Sequence, residues 1–163
     1  MAVAAVALAP NGLASNPVRG TEAHPIPVGQ YASIGSGWLM KVISVRSNVS
    51  PKLAGYGNEP PGTGTYVIKI SLQFVGHGTA NVWRVLGRMA TVGAHKLYYA
   101  DANPCLGGWK ISYGWVPVSS GQTTQGDACF QDQTNDAASM QLLVYPDRNG
   151  VGSLRPFAWF ALR

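Results

Sequence analysis

Two cysteines, a cluster of five aromatic rings and seven carboxylates are the side chains here with chemistry to offer. Cys105 and Cys129 make an even count in a Gly- and Pro-rich chain, a usage that suggests one disulfide and an oxidising compartment. The two are 24 positions apart, and a bridge closing such a loop contributes about 3.5 kcal/mol in the loop-entropy model. Two buried free thiols are the competing reading. A metal site fits less well, because there is neither a CxxC nor a paired HxxxH. Tyr98, Tyr99, Trp109, Tyr113 and Trp115 fall in one short stretch. Exposed and aligned, such rings stack on sugars or grip a peptide, because they offer large contact area at low entropy cost. Buried, they are ordinary packing, which is where large aromatics usually sit.

The acids Glu22, Glu59, Asp101, Asp127, Asp132, Asp136 and Asp147 each fall in or beside an expected turn. Turn aspartates are explained by bonds to their own backbone. Two of them brought together from distant loops could do acid/base work. Asp127, Asp132 and Asp136 could gather around Ca²⁺, but not with EF-hand spacing. His24 lies in a Pro-rich stretch, His77 and His95 lie in turns, and none has a partner at ligand spacing. No Gly-x-Ser-x-Gly elbow, HExxH pair or phosphate-binding glycine loop occurs. The chain is therefore expected to be no enzyme, with no cofactor and no metal.

The elements that must position these groups are strands. From Thr65 to Val75 the apolar residues Tyr66, Ile68, Ile70, Leu72 and Phe74 take every second position, with Lys69, Ser71 and Gln73 between them. A period of two places the two sets on opposite faces of a half-buried antiparallel strand, which needs a second layer to cover it. Val28 to Ile34 reads as a first strand, Gly35-Ser36-Gly37 as a turn, and Trp38 to Val45 as a second strand with Trp38, Met40 and Val42 inward. Residues 47–64 form a long polar loop. They include an Asn48-Val49-Ser50 glycosylation match that Pro51 follows, a short motif that carries little weight. Asn81 to Thr91 reads as another strand, with Trp83, Val85 and Met89 on one side and Arg84 and Arg88 on the other. Further strands are expected at 96–99, 109–118, 123–131, 139–145 and 155–162, with a polar loop at 132–138 and a turn at 146–150.

The totals agree with one domain of this kind. A chain of 163 residues buries roughly 70% of its unfolded surface. Hydrophobic residues make up 46%, with 20 glycines and 11 prolines dispersed along the chain, which suits many short strands joined by turns. The net charge is +5, yet the twelve basic residues never form a run of three. That scatter argues against nucleic acid, whose binders concentrate their charge. Residues 1–9 are apolar but too short to span a bilayer. They resemble the end of a signal-peptide core, with Gly12-Leu13-Ala14 the better cleavage site and no basic residue ahead. The expected organisation is a signal-peptide remnant or disordered tail at 1–14, a Pro-rich linker at 15–27 and one domain at 28–163.

Four features in order carry a resemblance over about four fifths of the chain. They are Gly37-Trp38-x-Met40-Lys41-Val42, then Gly64-x-Tyr66-Val67-x-Lys69-Ile70, then Cys105 in a loop after a Tyr-rich strand. The fourth is Ser120-Gly121-Gln122-Thr123-x-x-Gly126-x-x-Cys129-Phe130, followed by a strand and a terminal Trp159-Phe160-Ala161-Leu162. This order resembles the telokin-like, immunoglobulin-like domain family of secreted bacterial proteins and lipoproteins, a fold shared with a mycobacterial immunoprotective extracellular protein. The resemblance implies that Cys129 pairs with Cys105. It also implies an immunoglobulin-like antiparallel β-sandwich of about seven to nine strands. The chain departs from the family in having Gly76-His77-Gly78 where an Asn is usual, and in showing no lipobox cysteine. The family has no established enzymatic activity, so it lends a fold and a compartment without a mechanism. The expectation is a secreted or envelope-associated monomer that binds a protein or glycan at the cell surface. The alternative is a carbohydrate-binding module using the aromatics between 98 and 115.

Overall fold

The computed structural model describes residues 19–47, 49–50, 61–94, 98–100, 103–104, 116–136, 138–146 and 157–163, with backbone only at 98–100, 103–104 and 136. The described strands are β1 (Ala32–Gly35), β2 (Trp38–Arg46), β3 (Thr63–Phe74), β4 (Thr79–Asn81), β5 (Met89–Val92), β6 (Tyr98–Ala100), β7 (Asn103–Pro104), β8 (Pro117–Ser119), β9 (Thr123–Gln133), β10 (Gln141–Val144) and β11 (Ala158–Ala161). A short α-helix, α1 (Trp83–Leu86), joins β4 to β5, and a 3-10 turn, Thr134–Asp136, follows β9. A five-stranded sheet has the order β1-β2-β3-β9-β7 and a four-stranded sheet the order β11-β10-β5-β6; β4 and β8 form a small separate ribbon. The pairs within these sheets are antiparallel. The chain is an all-β sandwich, as its alternation predicts.

β3 occupies the middle of the larger sheet. It pairs with β2 on one side and, over an unbroken ladder from Thr63↔Gln133 to Gln73↔Thr123, with β9 on the other. Its apolar set, Tyr66, Ile68, Ile70, Leu72 and Phe74, is 0–5% exposed. It meets Trp38, Met40 and Val42 from β2, Ala128 and Phe130 from β9, and Leu142, Val144 and Phe160 from the facing sheet in one core. Burial of each such aliphatic or aromatic side chain contributes about 1.5–3 kcal/mol. The β1–β2 hairpin turns through Ser36 at φ 51° and Gly37 at φ 75°. A Cβ on Gly37 would lie 2.9 Å from the Gly76 Cα, so the conformation and the close chain approach both require glycine there.

Three expectations change. The segment 81–91 is not one strand. Asn81 Oδ1 accepts the Trp83 N–H at 2.9 Å and the chain turns into α1. Val82, Val85 and Leu86, spaced i, i+3, i+4, are fully buried, while Trp83 is 45% exposed. That is helical spacing, and it puts Trp83 and Val85 on different sides. Arg88 is 5% exposed, with Nε donating to the Arg84 carbonyl at 2.9 Å. Asp132 is not in a loop: the β3 ladder holds β9 straight to Gln133, and Asp132 is fully buried opposite Gly64. Asp127 likewise lies within β9, not beside a turn.

The third concerns the Pro-rich stretch. Ile26 is 2% exposed and belongs to the core. Its N–H donates to the Trp159 carbonyl at 2.8 Å and its carbonyl accepts the Ala161 N–H at 2.8 Å, a parallel bridge onto β11. Pro25 and Pro27 flank it, and neither has a backbone N–H to continue a ladder. Ile26, expected in the linker, is thus seated against the sandwich. Residues 1–14 lie outside the described residues, as do Asn48 and the turn at 147–150.

Candidate functional site

The two faces of the five-stranded sheet differ in chemistry. The inner face is the core. On the outer face β3 presents Thr65, Val67, Lys69, Ser71 and Gln73, and the register fixes their neighbours. Ser71 lies between Lys41 of β2 and Gln125 of β9, Gln73 between Leu39 and Thr123, and Lys69 between Ser44 and Asp127. The register shifts between Val42 and Ser44, so Ile43 is the extra residue of a bulge. Beyond it Ser44 and Arg46 share the Lys69 face while Val45 packs toward the core.

Local contacts hold this surface in place. The Tyr31 hydroxyl and Ser71 Oγ are 2.8 Å apart in a hydrogen bond, and Ser71 is fully buried beneath it. The Lys41 ammonium stands 4.6 Å from the centre of the Tyr31 ring, a cation–π contact. Arg46 Nη2 donates to Asp127 Oδ2 at 3.1 Å, and the two side chains are 60% and 22% exposed. Among the described residues three cations, Lys41, Arg46 and Lys69, therefore stand on this face against one carboxylate, Asp127, which Arg46 engages. Around them lie the amides of Gln73 and Gln125, the Thr123 hydroxyl, and half-buried Leu39 and Ile43. At its far end Val67 and Cys129, 3% and 0% exposed, form a separate apolar cluster with Val49.

Elsewhere, a concavity of about 420 Å³ lies between Glu22 and Ala23 of the N-terminal segment and the four-stranded sheet. Val92, Gly93, Ala94, Ser139, Gln141 and Trp159 complete its lining. Gln141 Nε2 donates to the Glu22 carbonyl across it at 3.2 Å.

The residues singled out in the sequence are placed unevenly. Tyr98 and Tyr99 lie on β6, next to β5 in the smaller sheet. Trp109, Tyr113, Trp115 and Cys105 lie outside the described residues. Cys129 sits on β9, where Asn103 and Pro104 of β7 pair with Cys129 and Ala128. Asp127 and Asp132, five residues apart, fall on opposite faces of β9, so the two do not converge on a cation. Among the described residues no three His, Cys, Asp or Glu side chains group at metal-binding distance. His24 and His77 are exposed. Sequence reasoning missed Tyr31, Lys41, Arg46 and Gln125 as one surface. The polar half of the β3 alternation, Lys69-x-Ser71-x-Gln73, was its visible trace.

No family model matches the chain, and no curated protein matches it. Solved structures do. The chain is similar to ycdA of Bacillus subtilis, described as a candidate lipoprotein, at TM-score 0.54 and 11% identity over 78% of this chain and 37% of that one. It therefore spans little more than a third of ycdA. It is similar to the secreted protein MPT63 of Mycobacterium tuberculosis at TM-score 0.52 and 10% identity, covering 85% of this chain and 98% of that one. A functionally unknown protein of Listeria monocytogenes gives TM-score 0.52 at 16% identity, over 80% and 82% of the two chains. At such identities these likenesses establish the fold, and that fold is the one the resemblance implied.

Proposed function

We propose that the chain is a secreted or envelope-associated binding domain, monomeric and without a catalytic step, whose working surface is the outer face of the five-stranded sheet. The observation behind this reading is the exposed patch around Lys69 on the outer face of β3. Its inner residues are sealed in the core, while Lys69 and its cross-strand neighbours form an exposed array of ammonium, guanidinium, amide and hydroxyl groups. Groups on a rigid sheet are already ordered, so a ligand gains contacts at low entropic cost.

The compartment is supported by two structural neighbours, one described as secreted and one as a candidate lipoprotein. Among the described residues no helix is long and apolar enough to cross a membrane. We also propose the Cys105–Cys129 disulfide. Supporting it, β7 brings the chain to within one residue of Cys105 directly beside Cys129. No described cysteine is free, and the sequence holds one cysteine besides Cys129.

The test is fractionation of the source cells followed by re-binding. The protein is expected in the medium or envelope fraction, and purified protein is expected to sediment with isolated envelope material. Recovery from the cytoplasm alone, or no sedimentation, would contradict the proposal.

A further inference from the structure

The outer face of the five-stranded sheet also carries information about what it would bind. We infer that it is a docking surface for an acidic polysaccharide, with Lys41 and Lys69 meeting the carboxylates and Tyr31 packing on a sugar ring. The inference rests on the binding role proposed above and adds the ligand class.

Charge complementarity is the first argument. Among the described residues three cations stand against one carboxylate, and that carboxylate is held by Arg46 at 3.1 Å. Asp127 stands beside both Arg46 and Lys69, and the described part of the face is left net positive. In the ladder Lys41 is opposite Ser71, two residues along β3 from Lys69. The two ammonium-bearing residues thus lie on neighbouring strands, about 5 Å apart across the sheet and about 7 Å along it. That is sparse charge, suited to a polymer with an acidic group at intervals. A phosphodiester backbone has denser charge and is met by clustered Lys and Arg.

The uncharged groups are the second argument. Gln73, Thr123 and Gln125 line the same face. Glutamine amides both donate and accept, as sugar hydroxyls do. Tyr31 is fixed by its hydroxyl bond to Ser71 and by the Lys41 ammonium over its ring, a rigid apolar plate beside polar groups. A lipid surface would instead be met by protruding apolar side chains among the cations, whereas Leu39 and Ile43 here are half-buried in the sheet.

The probe is polygalacturonate, immobilised and titrated in solution, with dextran as its uncharged counterpart. The full chain should bind polygalacturonate, release with rising salt and ignore dextran. The variant Lys41→Gln/Lys69→Gln should bind about five- to tenfold more weakly, as expected for losing two exposed charge contacts. Arg84→Gln, which removes an exposed cation from α1, should change affinity less than about twofold by the same reasoning. Tyr31→Ala should weaken binding while Tyr31→Phe should largely restore it. Equal losses from Arg84→Gln and from the lysine pair would overturn the proposal, since net charge alone would then explain binding. Duplex DNA or phosphatidylglycerol vesicles binding as tightly as polygalacturonate would overturn it too, and so would absence of binding at low salt. Should polygalacturonate fail while envelope sedimentation persists, the ligand class falls and the binding role stands. Failure of the wild-type chain to sediment with envelope removes the role itself.

Discussion

Ile26 shows how much a single side chain settles here. It lies in a stretch rich in proline and polar residues, yet it is 2% exposed, while Val28 two positions later is 36% exposed. Its two backbone hydrogen bonds tie residue 26 to β11. The N–H of Gly29 then donates to the Val42 carbonyl at 2.8 Å, and the chain passes from one sheet to the other within three residues. Ile26→Ala is therefore expected to destabilise the fold by about 2–4 kcal/mol, the range for an aliphatic side chain removed from a packed core. Val28→Ala should cost less than about 0.5 kcal/mol. Denaturant unfolding of both variants checks this. Equal effects would mean that the segment does not seat as described.

At the scale of elements, β3 was legible from its sequence and α1 was not. The alternation from Tyr66 to Phe74 is strict, and its inner face came out as the period requires; on the outer face Lys69 is exposed, whereas Thr65, Val67 and Ser71 are buried. The Trp38-Met40-Val42 face of β2 also lies inward, although Leu39, Ile43 and Val45 are apolar too and leave its alternation weaker. The 81–91 segment is apolar throughout, so a period of two and the i, i+3, i+4 spacing of Val82, Val85 and Leu86 were both available. The Asn81 turn, a local polar contact, decided between them. Asp132 was misplaced because polar composition reads as loop, whereas the β3 ladder keeps β9 extended through it. A direct comparison on β3 tests its parity. Ile70→Ala should cost about 3–4 kcal/mol, and Lys69→Thr, one position away on the outer face, should stay within about 0.5 kcal/mol. Similar losses from the two would contradict the two-faced strand.

On the scale of the whole molecule, the outer surface could not be read in advance. Tyr31, Lys41, Lys69, Gln125 and Arg46 span nearly a hundred residues of chain, and only strand order, register and the bulge after Val42 bring them together. Sequence spacing sees neighbours along a strand and is blind to neighbours across one. The two cysteines suggest a pair by their count alone, and the proposed disulfide predicts a measurable linkage. No thiol should react with an alkylating reagent in denaturant, and reduction should lower stability by about 2–4 kcal/mol. Two titratable thiols in the native protein would remove the bridge and the compartment reading that leans on it.

The central claim, that the exposed face of the larger sheet does the work of binding, is tested most directly by hydroxyl-radical footprinting of the protein with and without isolated envelope material. Protection is expected at Tyr31, Leu39 and Ile43, with Trp83 on α1 reacting equally in both samples. Protection of Trp83 with unchanged reactivity at Tyr31, Leu39 and Ile43 would contradict it.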